Sequence, residues 1–128
     1  KLFADVPKRH NGITFCTGSL GAGRFNDLPK MAAKYADRVY FAHIRQLKYE
    51  GETDFAEAGH LTAAGDLDIY GIVKALVENN FDGYVRPDHG RNIWGENGKP
   101  GYGLYDRALG AAYLNGLFEA VEKDRKHG

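Results

Sequence analysis

Three short apolar segments, separated by helix-like segments, constrain most strongly how this chain folds. They are GITFC, VYFAHI and GYVRP, at residues 12–16, 39–44 and 83–87, and they are rich in β-branched and aromatic side chains. Nearly continuous apolarity of this kind is typical of parallel strands that are covered on both faces. We therefore predict a parallel sheet at the centre of the fold.

Helix patterns occupy residues 26–37, 66–80 and 105–126. Asn26 or Asp27 is suited to begin the first helix and Asp66 to begin the second. The second helix has an apolar stripe made by Ile69, Ile72, Val73, Leu76 and Val77. The third has a stripe made by Leu109, Tyr113, Leu117, Phe118 and Val121, with Gly110, Ala111 and Ala112 allowing close packing. Strands that alternate with helices indicate right-handed βαβ units.

The number of strands leaves two architectures open. About three parallel strands can form a small one-sided sheet, or they can be the closing units of a (β/α)8 barrel, which takes roughly 200 residues or more. The chain has 128 residues and begins KLFADVPKRH, without methionine. We expect it to be a piece of a longer protein.

Composition excludes several classes of function. Lys plus Arg and Asp plus Glu both number 17, so we expect no nucleic-acid partner, which would require a basic excess. No apolar run approaches the roughly 18 residues that span a bilayer, so we expect no membrane partner. The single cysteine, Cys16, excludes an internal disulfide and suits a reducing compartment. We predict a soluble, cytoplasmic protein.

Polar side chains follow each predicted strand. The first strand ends on Cys16, the second on His43 and then Arg45, and the third on Arg86, Asp88 and His89. Ligand sites of α/β folds lie at the carboxyl ends of parallel strands. A thiol, an imidazole and a carboxylate together suit a divalent transition metal. Each of the three also has an ordinary structural explanation, namely a small core residue, a buried histidine and a turn cap.

Three loops border this predicted site. CTGSLGAGR, at residues 16–24, lacks the ending of a phosphate-binding loop and favours a flexible strand-to-helix connection. The glycine-rich loop at 95–103 presents Tyr102, which is a candidate acid or base. The long connection at 57–66 contains His60, which is as compatible with a surface position as with a functional one.

Five motifs in order resemble the C-terminal portion of the mannonate dehydratase family. They are FCTGSLGAG, FAHIRQ, EAGHLTAAGDLDIYGIVKAL, RPDHGR and PGYGLYDRALGAAYLNGL, and together they cover nearly the whole chain. The resemblance implies an α/β fold, the C-terminal part of a (β/α)8 TIM barrel of the xylose-isomerase-like kind. Residues 1–128 would then be a single partial domain. The implied cofactor is Mn²⁺ or Fe²⁺, and the implied reaction is dehydration of D-mannonate to 2-keto-3-deoxy-D-gluconate in hexuronate breakdown.

The resemblance also implies a role for each site residue. The metal ligands would be Cys16, His43 and Asp88. The acid/base pair would be His89 and Tyr102, in either assignment. The predicted substrate-binding residues are Arg86, His60 and Arg45.

One departure from the family leaves alternatives open. The family's metal site includes a further histidine from an earlier strand, for which His10 is a poor substitute. We therefore expect the chain to require a partner segment or to form a homo-oligomer. The alternatives are a non-catalytic metal- or ligand-binding module, another sugar-acid lyase or isomerase on the same fold, and a purely structural role for the three predicted ligands.

Overall fold

The fold combines a parallel three-stranded sheet with a separate antiparallel hairpin. The structure is a computed structural model that describes residues 1–127. Its helices are α1 (Leu2–Asp5), α2 (Thr17–Gly21), α3 (Leu28–Tyr35), α4 (Ile69–Glu78) and α5 (Leu104–His127). Its strands are β1 (Ile13–Cys16), β2 (Val39–His43), β3 (Leu47–Tyr49), β4 (Phe55–Glu57) and β5 (Tyr84–Arg86). Short 3-10 turns occupy Ala36–Arg38 and Thr62–Ala64.

The main sheet has the order β1-β2-β5, and both pairs are parallel. Each strand lies where an apolar segment predicts it, and α3, α4 and α5 alternate with the strands as expected for part of a (β/α)8 barrel. The register aligns Cys16 with His43 and His43 with Arg86. The three strands therefore end at the same edge of the sheet.

Carboxylate side chains begin two of the helices. Asp27 caps α3 by accepting a hydrogen bond from the backbone three residues on, at 3.2 Å. Asp68 does the same for α4 at 2.9 Å, so the prediction that this helix begins at Asp66 was wrong by two residues. Asp66 instead accepts a hydrogen bond from the backbone N–H of Tyr49 at 2.7 Å. Because the Asp66 side chain is bonded to the backbone of β3, it does not cap α4.

The hydrophobic core lies between the sheet and the helices. α4 supplies the predicted stripe, and all of its members are buried: Ile69, Ile72, Val73, Leu76 and Val77. Phe15 of β1 and Ala42 of β2 meet this stripe from the sheet. Burying one such large side chain contributes roughly 1.5–3 kcal/mol. This core fixes the strands whose ends carry the predicted site.

Helix α5 packs with most of its predicted stripe, since Val121 is buried and Tyr113, Leu117 and Phe118 pack against the core. Leu109 is 47% exposed, so its assignment to the buried stripe was wrong, whereas Leu114 is 3% exposed. Gly110 is buried as predicted, and a Cβ there would lie 2.7 Å from the His60 ring. The absence of a side chain at Gly110 therefore lets α5 pack closely against the connection that carries His60.

Two elements form where sequence patterns indicate only loops. Residues 17–21 form helix α2 instead of a flexible connection. Strands β3 and β4 form an antiparallel hairpin inside the connection between β2 and α4. Buried Gln46 accepts hydrogen bonds from the backbone N–H groups of Leu47 and Leu67, which ties the start of the hairpin to the approach to α4. Within residues 1–127, none of the helices is both long and apolar enough to cross a membrane.

Candidate functional site

Cys16, His43 and Asp88 meet at the carboxyl edge of the sheet. One potential ligand atom from each of the three lies within 4.8 Å of the others. Cys16 Sγ is 3.7 Å from Asp88 Oδ2, and His43 Nδ1 is 3.4 Å from Asp88 Oδ1. The prediction that the strand ends bring these side chains together is confirmed. Their role as metal ligands stays a prediction.

The arrangement fits a divalent transition metal. Bonds from such an ion to sulfur or nitrogen are about 2.0–2.3 Å long, so two of its ligands lie within roughly 4.6 Å of each other. The observed separations are close to that limit. His43 Nε2 is buried and finds no hydrogen-bond partner among the described residues. A buried nitrogen without a partner is costly unless something binds it.

Asp88 lies among cationic and potentially cationic groups. Arg86 Nη2 is 2.6 Å from Oδ1, and Arg45 Nε is 3.0 Å from Oδ2. Burial acts to raise the pKa of Asp88, but the hydrogen bond from Arg86 and the nearby His89, His43 and Arg45 lower it below its usual value. The backbone of Asp88 has φ 24°, in the left-handed region that few residues other than glycine adopt. Asp88 is therefore held as an ionised acceptor in an unusual local conformation.

Burial keeps His43 neutral. Desolvation lowers the pKa of its imidazole, and the positive charge of Arg86 adds to this effect. Its ring packs edge-on against Phe41, with the centroids 4.5 Å apart. Metal binding requires the neutral imidazole, so these surroundings favour the form of His43 that can bind an ion.

The thiol of Cys16 accepts hydrogen bonds where the sheet passes into α2. Sγ lies 3.4 Å from the backbone nitrogen of Ser19 and 3.2 Å from its hydroxyl oxygen. The residues that were predicted as a flexible loop therefore orient the sulfur.

A carboxylate that the sequence analysis did not single out joins the site from the hairpin. Glu57, the last residue of β4, accepts a hydrogen bond from the guanidinium of Arg45. The same oxygen, Oε1, is 2.8 Å from His89 Nδ1. His89 Nε2 lies on the other side of the ring, 3.9 Å from Asp88 Oδ2. Glu57 thus connects a buried arginine to a predicted catalytic histidine.

Arg45 is held firmly beneath the edge of the sheet. It is 8% exposed, and its backbone N–H and C=O both bond the hydroxyl of Thr17, at 2.9 and 2.7 Å. Gly18 has no room for a side chain, since a Cβ there would lie 2.1 Å from the guanidinium carbon. The side-chain contacts of Arg45 are with Glu57 and Asp88. Its role as a substrate-binding residue stays a prediction.

His60 is buried away from the surface, at 6% exposure. Its Nε2 is 4.0 Å from Asp106 Oδ2, and neither ring nitrogen has a hydrogen-bond partner in residues 1–127. Burial lowers the pKa of His60. Asp106 accepts hydrogen bonds from the backbone nitrogen, Nε and Nη2 of Arg91, at 2.8, 2.9 and 3.2 Å. This ion pair joins the start of α5 to the segment after His89.

Tyr102 lies on the glycine-rich loop that approaches His89. It is 58% exposed, and Arg107 lies over its ring with its guanidinium carbon 5.0 Å from the centroid. Gly90 donates a backbone hydrogen bond to Gly101 at 3.0 Å. A Cβ added at Gly101 would lie 3.7 Å from the His89 ring. The structure therefore brings the Tyr102 loop beside His89.

Comparison with known proteins gives a consistent result over this whole region. The family model described as D-mannonate dehydratase (UxuA) matches residues 1–128. The chain is 56% identical over 125 residues to a mannonate dehydratase from Lactococcus lactis subsp. cremoris, and 48% identical over 128 residues to one from Thermotoga petrophila. These alignments cover 94% and 98% of this chain. The chain belongs to the mannonate dehydratase family.

A solved mannonate dehydratase shares the fold. The crystal structure of the enzyme from Streptococcus suis serotype 2 superposes with a TM-score of 0.91 at 44% sequence identity, covering 98% of this chain and 36% of that one. The predicted α/β fold class is therefore confirmed. The chain spans about 35% of the length of the mannonate dehydratase relatives from Lactococcus and Thermotoga.

Glu57 was not predicted as a site residue, although it lies in one of the motifs that resemble the mannonate dehydratase family. The motif EAGHLTAAGDLDIYGIVKAL begins with Glu57, but His60 was its only residue predicted to belong to the site. The available signal was the alternation of Leu47, Tyr49 and Phe55 around a polar turn, which is typical of a hairpin. Recognising that hairpin would have directed attention to the carboxylate at its end.

Proposed function

We propose that this chain forms part of the active site of a mannonate dehydratase, which converts D-mannonate to 2-keto-3-deoxy-D-gluconate and water. The observation that carries the proposal is the cluster of Cys16, His43 and Asp88, found in a chain of this family. A cysteine sulfur, an imidazole and a carboxylate at one edge of a parallel sheet are a donor set suited to hold a catalytic ion.

We propose Mn²⁺ or Fe²⁺ as the ion that these three side chains would hold. When bound, such an ion supplies Lewis acidity that polarises substrate oxygens and stabilises developing negative charge. The chain's part is to present the three ligands in the forms that bind. The low pKa values of Asp88 and His43 both act in that direction.

Proton transfer falls to His89 and Tyr102 in this proposal. Dehydration removes a proton from C2, expels the C3 hydroxyl as water after it gains a proton, and leaves an enol that becomes the 2-keto group. One group must accept the first proton and another must supply the second. His89 and the loop of Tyr102 lie next to each other, so either order is possible. Arg86, half-exposed, is placed to bind the substrate carboxylate.

Arg45 and His60 support the site in this proposal more than they touch the substrate. Both are more than nine-tenths buried, and their closest charged neighbours are protein carboxylates. We further propose a homo-oligomer located in the cytoplasm. The outer edges of β1 and β5 have no partner strand within residues 1–127, and they are suited to pair either with further strands of a barrel or with a second copy of the chain.

The decisive experiment joins this chain to the remaining part of the Lactococcus lactis relative, replacing the matching segment. The chimera is loaded with Mn²⁺ or Fe²⁺ and assayed with D-mannonate, and its bound metal is measured by mass spectrometry. We expect turnover and about one ion per chain. Asp88→Asn should reduce both metal affinity and activity by at least about a hundredfold, because it removes a charged ligand.

Asp124→Asn is the matched control, because Asp124 is exposed on the last turns of α5. It should leave metal content and turnover unchanged. A folded chimera that binds one ion but does not dehydrate D-mannonate would contradict the proposed reaction and favour a metal-binding module. A folded chimera in which Asp88→Asn retains full metal and activity would contradict the proposed ligand set.

A further inference from the structure

Glu57 makes the contacts expected of a residue that positions a catalytic histidine. Its Oε1 is 2.8 Å from His89 Nδ1, while His89 Nε2 faces the cluster, 3.9 Å from Asp88 Oδ2. In an imidazole, the hydrogen bond made by one nitrogen determines which nitrogen carries the proton in the neutral ring. The hydrogen-bond partner of Nδ1 therefore determines whether Nε2 of the neutral ring carries a proton.

The acceptor role of Glu57 follows from its second partner. Arg45 bonds the same oxygen, and a guanidinium can only donate. Oε1 therefore accepts from Arg45 and is available as an acceptor for His89 as well. A contact of 2.8 Å to His89 Nδ1 then requires a proton on Nδ1.

The position of Glu57 is set by contacts with the connection after β2 and with β3, and α2 in turn holds that connection. Arg45 is held by the hydroxyl of Thr17 and by the absence of a side chain at Gly18. The hairpin carries Glu57 to the guanidinium through the pairing of Glu57 with Leu47. A carboxylate that is fixed by Arg45 and by the hairpin can orient a half-exposed imidazole that would otherwise rotate freely.

We propose that Glu57 is a positioning residue for His89, holding the proton on Nδ1 and leaving Nε2 as the atom that exchanges a proton with the substrate. This inference rests on the proposed function for the identity of the substrate. In either assignment of acid and base, one proton moves between Nε2 and the substrate while Nδ1 keeps its own. Glu57 then stabilises the imidazolium that exists on one side of that transfer.

The first test uses nuclear magnetic resonance of the metal-free chimera with ¹⁵N-labelled histidine, at alkaline pH where imidazole rings are neutral. His89 is assigned by its disappearance in His89→Gln. We expect the wild-type ring to carry its proton on Nδ1. Glu57→Ala should abolish that preference, whereas Glu57→Gln should retain it, because the amide oxygen still accepts a hydrogen bond.

Glu52→Gln is the matched control, since Glu52 is an exposed glutamate in the turn of the same hairpin. It should leave the nitrogen spectrum of His89 unchanged. A wild-type ring protonated on Nε2 would overturn the proposal. So would a spectrum of His89 that is identical in the wild type and in folded Glu57→Ala.

The second test measures kinetics in the chimera. Glu57→Ala should lower kcat about 10- to 100-fold, with KM changed by less than about threefold, because the tautomer matters for proton transfer more than for binding. Equal loss in Glu57→Ala and Glu57→Gln, or a change confined to KM, would contradict a positioning role. A folded chimera without turnover, but with the expected His89 tautomer, would contradict the proposed reaction and leave the Glu57–His89 contact established.

Discussion

The ion pair between Asp106 and Arg91 offers the sharpest test of how the site is held together. Asp106 is buried near the start of α5 and accepts three hydrogen bonds from Arg91, at 2.8, 2.9 and 3.2 Å. Replacing it by Asn keeps one acceptor oxygen but removes the charge. The change should loosen the attachment of α5 to the segment that follows His89.

The magnitude follows from the number and burial of these bonds. Removing one partner of a fully buried ion pair costs about 3–5 kcal/mol. Arg91 is 42% exposed at its side chain, so water compensates part of the loss. We therefore expect Asp106→Asn to lower the free energy of unfolding by about 2–3 kcal/mol at pH 7, as measured by urea denaturation followed by circular dichroism.

The pH dependence gives the same prediction a second, independent check. Burial acts to raise the pKa of Asp106, but the hydrogen bonds and charge of Arg91 hold it below its usual value. A carboxyl group with a depressed folded-state pKa contributes stability above its unfolded pKa of about 3.9, and that stability is lost as the pH falls through the folded value. The difference between the wild type and Asp106→Asn should therefore shrink below about pH 4.

Two results would refute this reasoning. One is a difference of less than about 0.5 kcal/mol at pH 7, which is the range of ordinary surface substitutions. The other is a difference that stays constant from pH 7 to pH 3, which would show that the Asp106 charge is not responsible. Asp124→Asn, on an exposed turn of the same helix, should stay within about 0.5 kcal/mol of the wild type throughout.

Three further predictions concern packing and burial around the site. Gly110→Ala should lower the free energy of unfolding in urea by about 1–3 kcal/mol, because its Cβ would lie 2.7 Å from His60. Gly116→Ala, in the open part of the same helix, should raise the same free energy by about 0.5–1 kcal/mol. Burial lowers the pKa of His60, so below about pH 6.5 the unfolded chain takes up a proton on this residue more readily than the folded chain does, and stability falls. His60→Leu should reduce this loss of stability. An unchanged dependence of the free energy of unfolding on pH, measured by urea titration, would contradict this. Ile72→Ala should cost about 2–5 kcal/mol through the cavity it leaves in the core, and a smaller loss in the same titrations would indicate that the site collapses.

The sequence allowed prediction of those parts of the site that lie on regular strands. Cys16, His43 and Asp88 were expected together because each follows an apolar segment, and the parallel register does align their strand ends. That inference needs only the period of the apolar pattern and the rule that parallel strands end at one edge. The metal-ligand role of the three side chains was predicted from their donor types and is also implied by the family resemblance, and it stays a prediction.

The parts that were missed depend on short elements and on tertiary contacts. Strands of three residues, such as β3 and β4, give only a short alternation; this weak hairpin signal was not used, so Glu57 was overlooked. The start of α4 was misplaced because Asp66 and Asp68 are equally good caps in sequence, and only the bond of Asp66 to Tyr49 distinguishes them. Leu109 was assigned to the core because helical spacing alone does not say which face of α5 meets the connection at His60.

The separateness of the hairpin has a consequence for how enzymes of this kind diversify. The parallel strands carry the three predicted ligands, whereas Glu57 arrives on a two-stranded excursion that shares no strand pairing with them. The sequence or length of that excursion can therefore change without altering the register that gathers Cys16, His43 and Asp88. Under the proposed roles, substitutions in the sheet would change metal binding. Substitutions in the hairpin would change the protonation of His89, and the two sets could vary independently.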